Sequence, residues 1–189
     1  MESVQLAPSQ SARETVRRLE KEAGTEVTLC YQCGKCAAGC PVAFAMDYTP
    51  RQVLRLLQLG LVDTALHADS VWLCVTCETC STRCPRGVDI ASLMDAVRRE
   101  ALAQGIVTDR KVAAFNEVFL SHVRRYGRLH EVGLTLEFNL KTRQPLKDAG
   151  LGLPMFSRGK VHLLPEVIRG QKQVQEIFER VKRMRGEEA

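Results

Sequence analysis

The eight cysteines of this 189-residue chain all fall in two short runs. The first run is CYQCGKCAAGCP, residues 30 to 41, and the second is CVTCETCSTRCP, residues 74 to 85. Both follow the pattern C-x2-C-x2-C-x3-C-P without a gap, and a leucine precedes each run. The two runs therefore form an internal repeat, and we expect a pseudo-twofold arrangement of the two loops.

This spacing is the one found in bacterial ferredoxins that carry two iron–sulfur clusters. Three closely spaced cysteines wrap one face of a cubane, while backbone N–H groups of the loop face its sulfides. The fourth cysteine lies beyond the wrap and serves the other cluster. We therefore predict two [4Fe–4S] clusters with crossed ligand sets. Cluster 1 takes Cys30, Cys33, Cys36 and Cys84, and cluster 2 takes Cys74, Cys77, Cys80 and Cys40.

Two other uses of the cysteines are disfavoured. Disulfides suit an even number of cysteines, but they are rare in a reducing compartment, and neighbours on one tight loop seldom form a framework. Zinc sites usually use two separated C-x-x-C pairs, whereas each run here has three evenly spaced cysteines and a fourth. Because every cysteine is used as a cluster ligand, no thiol is left for disulfide chemistry.

Composition and charge limit the classes of function. Hydrophobic residues make up 45% and charged residues 26% of the chain, as in ordinary globular domains. The net charge is +5, and two oxidised clusters of about −2 each would leave the loaded protein nearly neutral. No basic patch interleaved with aromatic residues indicates nucleic-acid binding. No secretory signal or apolar span of roughly 20 residues is visible, so we expect a cytoplasmic location without direct membrane insertion.

The segments around the runs have helical periodicity. Ser11 and Glu14 suggest a capping box for a first helix that ends at Gly24, and TPRQ at residues 49–52 marks a second start. Further apolar stripes span residues 62–67, 90–101, 112–123 and 174–181. No alternating apolar pattern indicates a strand. We therefore predict an all-α fold, an α-helical ferredoxin core with a helical and irregular C-terminal extension.

The chain divides into three parts by these patterns. Residues 1–26 form an N-terminal helix, residues 27–105 form the two-cluster core, and residues 106–189 form a helical extension that is expected to dock a partner. From about Leu129 the helical pattern loosens, because prolines and glycines interrupt it. This segment is expected to form either short helices packed on the core or an extended arm that docks a partner. The last apolar stripe is expected to pack on the core of the chain itself.

No catalytic residue is indicated. The chain has no G-x-G-x-x-G motif after a strand and no P-loop, and no nucleophile lies in a recognisable setting. The four histidines have no ligand spacing and are interpreted as structural or surface residues: His67, His122, His130 and His162. Trp72, two residues before Cys74, is expected to pack near a cluster. Lys35 and Arg83 lie inside the runs and are interpreted as solvated.

Both cysteine runs, the linker YTPRQVLRLLQLG and the tail GKVHLLPEVIRG together resemble the iron–sulfur C subunit of heterodisulfide reductase and of related bacterial complexes. The resemblance covers about residues 27 to 178. It implies that the chain carries two [4Fe–4S] clusters and passes electrons between a flavin- and cluster-bearing A subunit and a catalytic B subunit with CCG motifs. This chain has no CCG motif, which agrees with the C subunit.

Two other interpretations stay open. One is the iron–sulfur subunit of another dehydrogenase, of the glycerol-3-phosphate, succinate or lactate type. The other is a module without redox function, in which the clusters only hold the fold while the tail recruits a partner.

Overall fold

The computed structural model describes residues 8–145 and 164–184, together with residues 147, 150, 154, 155, 158 and 159 between these ranges. The described residues contain helices and no β-strand, which confirms the predicted all-α fold. The chain forms two compact units, Met1–Asp109 and Arg110–Ala189. The division into residues 1–26, 27–105 and 106–189 stays a sequence prediction.

The first unit contains the two cysteine runs and a set of mostly short helices. Its helices are α1 Gln10–Ala23, α2 Lys35–Gly39, α3 Pro50–Gln58, α4 Val62–Leu66, α5 Ser70–Leu73, α6 Thr79–Thr82 and α7 Ile90–Ala103. Two 3₁₀ turns, Val27–Leu29 and Ala43–Ala45, stand before the first run and after it. The helices α2 and α6 lie within the cysteine runs and pack against each other.

Local capping explains where these helices begin and end. Thr49 and Gln52 form the predicted capping box at the start of α3, with Pro50 at its first position. The predicted cap of α1 at Ser11 is wrong, because the N-cap is Ser9, whose Oγ accepts a hydrogen bond from the N–H of Ala12 at 3.1 Å. Gly24 ends α1 in the left-handed conformation, as predicted.

The core of the first unit is built around α7. This helix packs against α1, α4, α5, α6 and α3. Leu93, Met94 and Val97 of α7 are each at most 1% exposed, as are Leu19 of α1 and Leu54 of α3. Burial of one such large apolar side chain stabilises a fold by about 1.5–3 kcal/mol. The core thus fixes the helices that flank both cysteine runs.

The second unit contains α8 Arg110–Tyr126, α9 Glu131–Lys141 and α10 Gln171–Met184, and α8 packs against both others. Within the segment that begins at Leu129, α9 is a regular helix of 11 residues, which agrees with the short helices that are one expectation for it. Its start carries an unusual cap, because the ring Nδ1 of His130 accepts a hydrogen bond from the N–H of Gly133 at 3.2 Å. His122 and Asn139 are buried, as are the apolar Val118 and Leu134 of the same two helices.

Candidate metal centre

The two cysteine runs have the same backbone conformation at matching positions. The second residue after the first cysteine has a positive φ in both runs, 64° at Gln32 and 49° at Thr76. The fourth residue after it does so as well, 82° at Gly34 and 59° at Glu78. A short helix then begins at the next residue in each run. The internal repeat of the sequence therefore extends to left-handed turns that non-glycine residues rarely adopt.

These turns direct backbone N–H groups at cysteine sulfur. The N–H of Gln32 donates to Sγ of Cys30 at 3.4 Å, and the side-chain amide of Gln32 donates to the same atom at 3.5 Å. In the second run, burial raises the pKa of Cys74 and the backbone N–H of Thr76 opposes this effect. Hydrogen bonds to the sulfurs are one of the features that set the potential of an iron–sulfur cluster.

Burial of the eight thiols also repeats between the runs. The second cysteine is exposed, Cys33 in one run and Cys77 in the other. The third is buried, Cys36 and Cys80, each at the start of a short helix. The first and fourth cysteines are half-buried in both runs. Each run thus holds one ligand position deep in the fold and one at the surface.

A cavity brings together cysteines from both runs. Cys74, Cys77 and Cys80 of the second run line it together with Cys40, the fourth cysteine of the first run. Apolar side chains form most of the remaining wall, among them Val42, Met46, Val75 and Met94. These four cysteines are the ones that the sequence assigned to cluster 2. That ligand assignment stays a prediction.

The fourth cysteine of the second run lies near the first run. Exclusion of water, together with the charge of Cys33 and Cys84, raises the pKa of the exposed Tyr31, while Arg86 lowers it. Tyr31 lies between Cys30 and Cys33 in sequence, so Cys84 is close enough to that loop to act on it. The charge of Cys84 thus acts on a residue of the first run, and the ligand set of cluster 1 stays a prediction.

Burial determines the protonation of the free thiols. It raises the pKa of Cys36 and Cys74, and it raises the pKa of Cys80 to about 11. The exposed Cys77 behaves differently, because hydrogen bonds from the hydroxyl and the N–H of Thr79 lower its pKa. Since metals bind thiolates, loading of the deep positions must release protons.

The donor set suits a cluster better than a single ion. Thiolates select soft or borderline metals, zinc and iron–sulfur clusters among them. Within the described part of the chain, no three cysteine, histidine or acidic side chains converge closely enough to hold one metal ion. The four thiolates around a cubane bind four different irons, so their sulfurs do not need to converge on one point. The residues present therefore fit [4Fe–4S] clusters.

Two side chains that the sequence analysis missed hold the start of the cysteine runs. Gln58, the last residue of α3, donates from Nε2 to the carbonyl oxygens of Val27 at 2.7 Å and Cys30 at 2.8 Å. Arg98 of α7 donates from Nε to the carbonyl of Val71 at 2.7 Å and from Nη2 to the carbonyl of Cys74. No motif marks either residue, because each acts through backbone atoms far away in sequence.

A third such residue is Asp47, in the linker between the runs. Its Oδ1 accepts hydrogen bonds from the N–H groups of Tyr48 and Ser70, both at 2.8 Å, and its Oδ2 accepts one from Asp69 at 2.9 Å. Burial raises the pKa of Asp47, but these hydrogen bonds outweigh it and hold the pKa below its usual value. The carboxylate thus anchors the N-terminus of α5, which leads into Cys74.

Other residues singled out from the sequence have structural settings. Trp72 is buried at 3% exposure. His67 is exposed beside Asp63, whereas His122 is buried with its Nε2 3.1 Å from Oε2 of Glu137. Lys35 is exposed, and His162 lies outside the described residues.

A membrane span is not among the elements observed. In the part of the chain that the structure describes, every helix is too short or too polar to cross a bilayer.

Comparison with known proteins identifies the domain. Residues 26–88, which contain both cysteine runs, match the family described as a 4Fe-4S dicluster domain. The chain is 44% identical over 98 residues to the iron-sulfur C subunit of the CoB–CoM heterodisulfide reductase of Methanopyrus kandleri, covering 51% of each chain. It is 29% identical over 167 residues to the C subunit of the H(2):CoB-CoM heterodisulfide,ferredoxin reductase of Methanothermobacter thermautotrophicus.

Residues 26–88 thus match a 4Fe–4S dicluster domain, and the chain is similar to C subunits of heterodisulfide reductases. The Methanothermobacter match covers 88% of this chain and 80% of the relative, so it includes both units. A third relative, the C subunit of the Ferredoxin:CoB-CoM heterodisulfide reductase of Methanosarcina mazei, is 35% identical over 94 residues, 50% of this chain and 58% of that one. The chain spans about half the length of the Methanopyrus relative and of a second one at 41% identity. The predicted two [4Fe–4S] clusters are confirmed by the dicluster match and the two four-cysteine groups.

Proposed function

We propose that this chain is the electron-transfer component of a heterodisulfide-reductase-like complex. In this proposal it relays electrons between a flavin- and cluster-bearing A subunit and a catalytic B subunit with CCG motifs. The observation that carries the proposal is the cavity that Cys40 shares with Cys74, Cys77 and Cys80. A fourth ligand supplied by the other run ties two cluster sites to each other, and neighbouring one-electron carriers make a conduit.

The clusters supply one-electron carriers, and the chain supplies their placement. Cys36 and Cys80 hold the deep positions, where burial excludes water. Cys33 and Cys77 hold the surface positions, one in each run. Because each run has its own exposed ligand, the protein offers two separate points at which a redox partner can approach. A relay between two different partners needs two such points.

The assignment of partners rests on the relatives. The names of the related proteins contain heterodisulfide reductase and, in several, ferredoxin. We propose that the disulfide or other terminal substrate reacts at a second protein of the complex. We further propose a cytoplasmic location, where thiol ligands stay reduced.

The test is to measure iron, sulfide and the EPR spectrum of the anaerobically purified chain during reductive titration. About eight irons per chain and two interacting reduced [4Fe–4S] signals are expected. Stoichiometric zinc, or no metal together with paired cysteines, would remove the proposal. The relay itself is tested by rapid mixing with the candidate A and B subunits. Cluster signals that never change during turnover would instead indicate a module whose clusters only hold the fold.

A further inference from the structure

In each half of the repeat, one side chain donates hydrogen bonds to two equivalent carbonyl groups. The two side chains differ chemically. In the first half, Gln58 binds the carbonyl of the first cysteine, Cys30, and the carbonyl three residues before it. In the second half, Arg98 binds the carbonyl of the first cysteine, Cys74, and again the carbonyl three residues before it. Equivalent carbonyl groups are thus bound by a neutral amide in the first run and by a guanidinium in the second.

Holding these carbonyls does not require a positive charge. The amide of Gln58 makes both hydrogen bonds, at 2.7 and 2.8 Å, without one. Arginine is always protonated at neutral pH. Arg98 therefore brings a fixed positive charge to the second run in addition to its structural contacts. No carboxylate in the described residues forms an ion pair with Arg98, whereas Asp95 and Glu22 pair with its neighbour Arg99.

The burial of the thiols repeats between the runs, but the residues just before each run differ in burial. Two residues before the first cysteine, the first run has the exposed Thr28 and the second has Trp72, which is 3% exposed. Gln32 also gives Cys30 an additional side-chain donor, from its amide to Sγ at 3.5 Å. A cluster gains negative charge when it is reduced, and a less solvated site disfavours that charge. Without compensation, the second site would be the harder one to reduce.

We infer that Arg98 is a positioning residue that raises the reduction potential of cluster 2 through its charge and so offsets the burial of the second run. This inference rests on the proposed function, because it assigns cluster 2 to Cys74, Cys77, Cys80 and Cys40. Net charge and solvent exposure are two of the features that set iron–sulfur potentials. Arg98 adds positive charge to the second run, which the fold shields more from solvent. The charge keeps the two carriers of the relay close in potential.

The decisive experiment is an anaerobic, EPR-monitored redox titration of the full-length, cluster-loaded chain. Arg98→Gln removes the charge and gives the second run the neutral donor group of the first. The variant is expected to lower the equilibrium constant for reduction of cluster 2 on the order of tenfold, which is about 59 mV for one electron. Arg98→Lys keeps the charge and is expected to restore most of that loss. The potential of cluster 1 changes much less in both variants.

A reciprocal variant keeps the inference testable if Arg98→Gln fails to incorporate clusters. Gln58→Arg adds a guanidinium beside the first run and is expected to raise the potential of cluster 1 while cluster 2 stays nearly constant. The matched control is Arg99→Gln, one residue along α7, whose charge is paired with Glu22 and Asp95 and should leave both potentials unchanged.

The outcomes separate the two levels of the proposal. Suppose that the wild-type chain holds about eight irons and shows two signals, but that neither Arg98→Gln nor Gln58→Arg changes the reduction potential of the cluster beside it. The inference about Arg98 is then wrong, and the electron-transfer function stands. An equal shift from the Arg99→Gln control would also overturn it, because the effect would then be a general one of charge. A wild-type chain without the two clusters removes the proposed function and the inference together.

Discussion

Arg83 lies across the face of Gly39, so that its guanidinium group occupies the space that a Cβ atom at residue 39 would fill. A Cβ built there would be 3.0 Å from Cδ and 3.2 Å from Cζ of Arg83, and closer still to Nη1. These two residues are equivalent in the repeat, since each directly precedes the fourth cysteine of its run. The helices α2 and α6 that lead to them pack against each other. The repeat is therefore asymmetric where its halves meet, with a long side chain on one side and none on the other.

This contact predicts a coupling between positions 39 and 83. Gly39→Ala is expected to lower the free energy of unfolding by about 1 kcal/mol, because Arg83 must move but its end is flexible. In the background of Arg83→Ala, Gly39→Ala should leave the free energy of unfolding unchanged or raise it, because alanine forms helices better than glycine does. Thermal unfolding of the four cluster-loaded proteins measures the cycle. Strictly additive costs would contradict the coupling.

A contact with rigid groups in the second unit predicts a larger effect. A Cβ atom at Gly133 would lie 2.5 Å from Cε1 of His122 and 2.6 Å from Nδ1 of His130, whose rings are stacked with centroids 6.3 Å apart. Stacked rings cannot move aside as easily as the flexible end of the Arg83 side chain. Gly133→Ala is therefore expected to destabilise the second unit by about 1–3 kcal/mol, despite its better helix propensity.

The matched control for Gly133 is Gly150→Ala, because a Cβ atom there meets nothing within 4 Å. Its effect should stay within about 0.5 kcal/mol. Hydrogen exchange of the backbone amides in α8 and α9 reports the stability of this unit in the full-length chain. Faster exchange in both variants, or in neither, would show that the histidine rings do not restrict position 133.

Asp47 predicts a dependence of stability on pH. The pKa of its carboxyl is lower in the folded chain than the usual value of about 3.9 in an unfolded one, so the unfolded state binds the proton more readily. Its contribution is therefore complete above about pH 4 and is lost as pH falls through the folded-state pKa. Asp47→Asn, which weakens three hydrogen bonds from N–H groups, should cost about 1–2 kcal/mol at pH 7 and progressively less below pH 4.

The control for Asp47 is Asp63→Asn, because the side chain of Asp63 is 92% exposed. Urea unfolding of the three cluster-loaded proteins between about pH 3 and 8 provides the comparison, and acid loss of clusters affects all three alike. A gap between wild type and Asp47→Asn that stays constant down to the acid end of this range would show that the charge of Asp47 does not contribute.

Short-range signals explain what the sequence predicted of this fold. The capping box of Thr49 and Gln52 and the stop at Gly24 depend on neighbours within a few residues, and both are present. Cysteine spacing is a similar local signal, since one loop must reach around one cluster face. The start of α9 escaped prediction because its cap is a histidine ring, and histidine is not among the preferred capping residues.

Long-range contacts explain what the sequence could not provide. Gln58 reaches back 28 residues to Cys30, and Arg98 reaches back 24 residues to Cys74, in both cases to a carbonyl group that every residue carries. Asp47 likewise binds amide groups 22 and 23 residues away. Because the partner atoms are backbone atoms, no residue type at the far end signals the contact. These side chains become visible only when the helices are packed.

One set of variants decides which cluster Cys40 binds and which cluster Cys84 binds. Crossed ligation places Cys40 with Cys77, which the cavity that both line supports, and it places Cys84 with Cys33. Each cluster has one surface cysteine and one crossing cysteine, so four single variants to alanine sort into pairs. Cys33→Ala and Cys84→Ala are expected to remove one EPR signal, and Cys77→Ala and Cys40→Ala the other. The iron content should fall to about four per chain in each. If Cys40→Ala instead removes the same signal as Cys33→Ala, each run completes its own cluster and the crossed assignment is wrong.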